Sequence, residues 1–211
     1  MVVASSQNLI RSIQSMEWIL PSSSQIKIIP SIPSLPINEH RSIREKKMKE
    51  LVFTGPMTTM NGLAVFCSML ELVHQDLANA HIKVTFLGPS SFVGQLTSEE
   101  YIDIQSSLWD SSDLSWSIHV VEDIKEIIDY LIEPGTGRIA VVPSLYDSTG
   151  YITQEIIFAQ IPLIGSLSSS IKDYIDPTHI PLTLFAPGDV IALSNAVRRT
   201  IDSPGMLCVY Y

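Results

Sequence analysis

From residue 50 onward the chain alternates short apolar runs with amphipathic stretches, and this rhythm constrains the fold more than any other feature. Six runs predict strands: Glu50–Thr54, Ile82–Leu87, Trp116–Val120, Arg138–Val142, Pro162–Gly165 and Leu182–Phe185. The stretches between and after them predict helices over 61–78, 98–108, 122–132, 150–159, 168–175 and 188–200. In the first of these, Leu63, Phe66, Leu70 and Val73 recur at helical spacing, and Ile124, Ile127, Ile128 and Leu131 do so in the third. Strands that are apolar on both sides are buried on both faces, and strands separated by helices pair in parallel. The expected architecture is therefore an α/β, Rossmann-like, doubly wound parallel sheet. Such sheets bind ligands beyond the carboxyl ends of their strands, near the point where strand order reverses. That directs attention to the loops 55–62, 88–97, 120–122, 143–151 and 165–170.

The segment before residue 50 reads differently. Leu9, Ile13 and Met16 suggest a helix over 4–17, ended by Trp18–Pro21, and Gln25–Ile29 suggests a short strand. Pro30, Pro33 and Pro36 then punctuate a link, and a charged cluster runs from Glu39 to Lys49. A boundary between residues 1–36 and 37–211 follows, because few buried contacts are expected to cross such a stretch. At 211 residues the length corresponds to about 1.4 average domains, one domain with something added.

Composition excludes several classes. Hydrophobic residues make up 45% and charged residues 17%, the reverse of a disordered acidic chain. The net charge of −9 and only 13 Lys plus Arg leave little from which to build a nucleic-acid-binding face. Cys67 and Cys208 are too few for a disulfide framework or a zinc site, and they read as small hydrophobes of a reducing, cytoplasmic compartment. The first 19 residues lack the pattern of a signal peptide, and no apolar run is long enough to span a membrane. His40, His74, His81, His119 and His179 are scattered without metal-ligand spacing, so no metal is expected.

Two loops could carry chemistry. The first, Gly55-Pro-Met-Thr-Thr-Met-Asn-Gly62, joins a strand to a helix. A glycine there lets an anion approach the backbone and the helix N-terminus favours it, although the spacing matches neither a P-loop nor GxGxxG and also suits a plain turn. The second runs from Val142 to Glu155. Asp147 precedes a helix whose first amides, at Gly150, Tyr151 and Ile152, could receive a diphosphate, and Glu155 could accept hydrogen bonds from a ribose diol. The plainer alternative is that Asp147 or Ser148 caps the helix and Glu155 is solvated.

Taken together and in this order, these loops resemble the group 1 retaining glycosyltransferases of the GT-B fold, in their C-terminal, donor-binding half. Phe53–Gly62 stands in the place of that family's "GR…KG" turn, and Pro143-Ser144 through Glu155 resembles its "PS…E-x₇-E". Ile161–Ser166 looks like its "GxPxIAS" strand and Leu184–Gly188 like its "LFxPG" turn, so the likeness covers roughly residues 50–201. Residues 5–30 look like the last helix of an N-terminal domain and the interdomain link.

The resemblance implies that Gly55, Asn61 and Gly62 border the donor and that Gly150, Tyr151 and Ile152 offer amides to its diphosphate. Asp147 would touch the transferred sugar, one methylene shorter than the family's glutamate, and Glu155 would bind the ribose. The family's Arg and Lys fall on Pro56 and Asn61, so both cations are replaced. The implied activity is transfer of a hexose from a nucleotide diphosphate sugar to an unknown acceptor hydroxyl with retention, in a truncated or impaired copy. No cofactor is implied beyond that donor, and any peripheral membrane association would come through an N-terminal domain outside this chain. The alternative is a non-catalytic nucleotide-sugar or protein-interaction module on the same fold. A sugar-nucleotide epimerase is disfavoured, because that family's closely spaced acid–base residues and His are not recognisable here.

Overall fold

The structure is a computed structural model that describes residues 2–4, 26–28, 47–109, 113–146, 151–167 and 175–203. In chain order the strands are β1 Val2–Ala4, β2 Ile26–Ile28, β3 Glu50–Thr54, β4 Lys83–Gly88, β5 Phe92–Val93, β6 Leu96–Thr97, β7 Trp116–Val120, β8 Arg138–Val142, β9 Leu163–Ser166 and β10 Leu184–Phe185. The described helices are α1 Leu63–Asn79, α2 Ser98–Ser106, α3 Ile124–Ile132, α4 Tyr151–Phe158, α5 Ile180–Thr183 and α6 Val190–Asp202.

Six strands form one sheet in the order β10-β9-β8-β3-β4-β7, every pairing parallel. The doubly wound sheet expected from the strand–helix rhythm is thus present. Alternate residues of each strand feed two cores, as the two-residue side-chain period requires. Leu51 and Phe53 of β3, Val84 and Phe86 of β4, and Ile139 and Val141 of β8 pack with α1, α2 and α6. Val52, Leu87, Ala140, Val142 and Leu163 pack against Ile127, Ile128 and Leu131 of α3 and Ile156 and Ile157 of α4. The first core is pinned by an aromatic chain. Phe66 meets Phe53 and Phe86 edge to face at 5.4 and 5.3 Å, and Phe86 meets Trp116 at 6.4 Å. Such geometries add to simple area burial.

Local chemistry sets the helix starts. Thr97 and Glu100 form a reciprocal capping box at α2, while Asp123 and Asp189 cap α3 and α6. Cys67 is fully buried in α1, and burial pushes its thiol up to about 12, so it is an inert hydrophobe.

Several local expectations change. Only Leu184–Phe185 of the last predicted strand is extended; the preceding Ile180–Thr183 turns as α5, because Pro181 has φ preset for a first helical turn. Residues 88–97, read as a loop, contain the antiparallel pair β5–β6. Ala4, read as the start of a helix, instead ends β1, which pairs in parallel with β2 in a separate two-stranded sheet. The strand read at Gln25–Ile29 is present as β2, Ile26–Ile28, whereas β1 was not read, its three residues being too few to show a period. The rest of the 4–17 helix, the boundary near residue 36, Cys208 and most of the 168–175 helix lie outside the described residues.

At the amino ends of the strands sits a feature that the sequence did not announce. Glu50, 6% exposed, accepts hydrogen bonds from Thr85 Oγ1 at 2.5 Å, Tyr130 OH at 2.7 Å and Arg138 Nε at 2.6 Å. Arg138 also donates to Tyr130 O and to Glu133, and its guanidinium lies 3.6 Å from the centroid of the Tyr130 ring. Lys83 Nζ stands 3.6 Å from the same Glu50 carboxylate.

Candidate functional site

From β3 the chain winds outward through β4 to β7, then returns to the other side of β3 and winds outward again through β8, β9 and β10. The reversal lies between β3 and β8. The loops leaving these two strands, 55–62 and the described residues 143–146, therefore border the crevice in which sheets of this kind bind ligands.

The two loops touch. The Leu145 amide donates to Met60 O at 2.9 Å. Gly62 has φ +80°, and a Cβ added there would stand 2.0 Å from Pro143 O, so the backbones meet where only glycine fits. The 143–145 stretch is held on its other side as well, because Ser166 Oγ, at the end of β9, donates to Ser144 O. Loop 55–62 is knitted internally: Thr58 Oγ1 donates to Asn61 Oδ1 at 2.6 Å and accepts from Asn61 N at 3.1 Å. Its start is tied to the β4 side, with the Gly55 amide on Leu87 O at 3.0 Å and the Met57 amide on Pro89 O at 2.9 Å. Gly88 must be glycine for the same reason as Gly62, since a Cβ there would lie 2.1 Å from Gly55 O. The Cβ direction of Gly55 itself, at φ +124°, meets nothing within 4 Å. The backbone of this buried residue thus faces open space at the mouth of the crevice.

Of the residues expected in the site, Gly55, Asn61 and Gly62 stand on the first loop, and Tyr151 and Ile152 open α4 directly after the second. Glu155 lies in α4 and is 2% exposed, beside Gln154 at 4%. A solvated Glu155, the plainer alternative, is thereby overturned: Thr153–Ile157 are buried, while Tyr151 at the start of α4 stays exposed. Asp147 and Gly150 lie outside the described residues. Neither loop carries a Lys or Arg, Pro56 is exposed, and the Asn61 side chain is engaged by Thr58. Among the described residues, no cluster of His, Cys, Asp and Glu could hold a metal ion, and no helix is long and apolar enough to cross a membrane. Gly88 and Ser98 escaped the sequence reading as site-shaping residues. The signal for Gly88 was a glycine at the end of an apolar run, the same one that marked Gly55.

No protein-family model matches the chain, and no curated protein matches it. Solved structures do. Sucrose-phosphate synthase from Thermosynechococcus elongatus aligns with a TM-score of 0.68 at 17% identity, over 98% of this chain and 50% of that one. WaaG, a glycosyltransferase involved in lipopolysaccharide biosynthesis, aligns at 0.69 and 13% identity, over 97% of this chain and 54% of that one. The C-terminal domain of the group 1 glycosyl transferase LpcC from Francisella tularensis aligns at 0.54 and 11% identity, over 76% of this chain and 79% of that domain. The chain has the Rossmann-like fold of a GT-B C-terminal half. It spans about half the length of the first two of these proteins.

Proposed function

We propose that this chain is the donor-binding half of a glycosyltransferase, taking a nucleotide diphosphate hexose and acting, where it acts, with retention at the anomeric carbon. The observation that carries the reading is the junction at the strand-order reversal. Met60–Leu145 and Gly62–Pro143 bring the two candidate loops into contact, open space lies over Gly55, and Glu155 is buried in the helix that starts there. In this reading the amides of Gly150, Tyr151 and Ile152 receive the diphosphate, because a helix N-terminus presents unpaired N–H groups and a partial positive charge. Glu155 accepts hydrogen bonds from the ribose diol. Asp147 reaches the sugar. Gly55, Asn61 and Gly62 shape the wall opposite. No resident metal is called for, and the acceptor comes from a second half of the kind that the longer solved structures contain.

The reaction places growing negative charge on the leaving diphosphate, and stabilising such charge is commonly the largest catalytic contribution. With Pro56 and Asn61 in place of cations, only uncharged donors, amides and hydroxyls, remain for that task on these loops. Losing a single such donor typically costs about 10²–10³ in rate. The chain is therefore expected to bind UDP or GDP weakly in calorimetry and to hydrolyse or transfer poorly when assayed with a panel of sugar nucleotides. Robust transfer by the 211-residue chain alone would overturn the impaired reading. The absence of cations from both loops also favours a second reading, a non-catalytic nucleotide-sugar-binding module, for which binding without turnover of any donor is the expected result.

Glu155→Ala separates a binding role from a purely structural one. Hydrogen bonds to a charged group are worth about 1.5–3 kcal/mol each, so the variant should bind nucleoside diphosphate roughly 10- to 100-fold more weakly. Unchanged affinity in the same titration would remove Glu155 from the site.

A further inference from the structure

Ser98, the first residue of α2, is fully buried, and its hydroxyl is engaged on several sides. Its oxygen lies 2.9 Å from both Met57 O and Ser91 O, which share its single proton, and it accepts from the Ser91 amide at 2.7 Å, while the Ser98 amide donates to Ser91 O at 2.9 Å. Met57 is fully buried too, and its amide is bonded to Pro89 O at 2.9 Å. The middle of loop 55–62 is thus held to the β4–α2 connection at both its N–H and its C=O. Its far end is held to the 143–145 stretch by Met60 O and Gly62. Of these anchors only the Ser98 hydroxyl belongs to a side chain; the others are backbone groups, which a substitution at Ser98 leaves in place.

We infer that Ser98 is a positioning residue of the crevice, pinning loop 55–62 in the shape that receives a nucleoside diphosphate. It touches no ligand itself and acts through Met57. The inference rests on the donor-binding reading for its ligand, but not for its mechanical content. Without the hydroxyl, Met57 O loses its partner in a site closed to water, and an unpaired buried acceptor is relieved when the loop moves. The opposite anchors at Met60 and Gly62 are unaffected, so the disturbance should stay in the loop.

The test compares wild-type protein with Ser98→Ala and Ser98→Cys, the latter keeping volume and a weak donor. Amide hydrogen exchange is expected to accelerate in Ser98→Ala at residues 55–62 and 89–98 and to stay at wild-type rates in β8 and α6. UDP affinity in calorimetry should fall about tenfold, the size of one lost buried hydrogen bond, with Ser98→Cys between the two. Exchange that rises evenly across the molecule, or not at all, overturns the pin, as does wild-type UDP affinity in a Ser98→Ala protein whose loop exchange is unchanged. If the wild-type chain binds neither UDP nor GDP, the donor-binding reading fails, and Ser98 is then judged by the exchange pattern alone.

Discussion

Gly62→Ala is expected to lower stability by about 3 kcal/mol or more and to abolish ligand binding in the crevice. Two costs combine. Alanine in the left-handed region costs roughly 1–2 kcal/mol, and Gly62 sits at φ +80°. The new methyl would also stand 2.0 Å from Pro143 O, a backbone atom that cannot rotate aside, and overpacking of this kind costs roughly 1–3 kcal/mol. For a chain of this size each kcal/mol moves the melting temperature by about 2–4 °C, so a drop near 10 °C is the result to look for in a thermal melt. Gly94→Ala is the control. It shares the positive φ, at +65°, but its Cβ would meet nothing within 4 Å, so only the backbone cost remains. Equal melting temperatures for the two variants would show that the β3–α1 and β8–α4 loops do not meet at Gly62.

Glu50→Ala is expected to be comparably damaging, at about 3 kcal/mol, while leaving the crevice chemistry untouched. Removing one partner of a buried ion pair leaves the other charge uncompensated, which typically costs 3–5 kcal/mol. Here Arg138, with 10% of its side chain exposed, would keep Glu133 as its charged partner, whose carboxylate is largely in water, beside the Tyr130 carbonyl and ring. Thr85 and Tyr130 would lose their shared acceptor. The same cluster predicts an acid limb of stability. Burial by itself raises the Glu50 carboxyl, but hydrogen bonds from Thr85, Arg138 and Tyr130 outweigh it and hold the group below its ordinary 4.5. A depressed carboxylate stabilises the fold fully above the unfolded value, and that contribution is lost as pH falls through the lower folded value. His119, beside Tyr130, is shifted down from 6.5 by burial and by Lys83, so the unfolded chain takes up its proton first, and stability begins to fall as pH drops below that point. Urea titrations from pH 7 to pH 3 should show both steps in the wild type. The lower step should vanish in Glu50→Ala, and its persistence there would move the acid sensitivity to another carboxylate.

The two sets of results bear on opposite ends of one sheet. Gly62 and Ser98 act at the carboxyl ends, where a ligand would sit, and Glu50 and Arg138 at the amino ends, where the strands are locked together. A loss of binding in Ser98→Ala or Glu155→Ala therefore carries a functional meaning only if the melt is near wild type, and Glu50→Ala supplies the reference for a purely structural injury.

Strand and helix periods are local, so the sequence disclosed them: the runs from Glu50 to Val142 and the Leu63, Phe66, Leu70 spacing were enough for a parallel sheet covered on both faces. They also placed the candidate loops at the carboxyl ends, because chain direction in a parallel sheet leaves no other arrangement. The three residues of β1, the two-residue pair β5–β6, and the helical turn begun by Pro181 carry too few periods to be read, although β2, equally short, was read within Gln25–Ile29. Strand order was not legible either, and with it went the knowledge that loop 55–62 and residues 143–145 are neighbours. Glu50 looked like an unremarkable strand end because its partners Thr85, Tyr130 and Arg138 lie 35, 80 and 88 residues away. Glu155 could equally have been solvated until the packing of α4 buried it. Propensity and patterning act over a few residues and are written in the chain. The burial of a charge, the meeting of two glycine backbones and the pinning of a loop by one serine depend on groups that only the folded sheet brings within 3 Å.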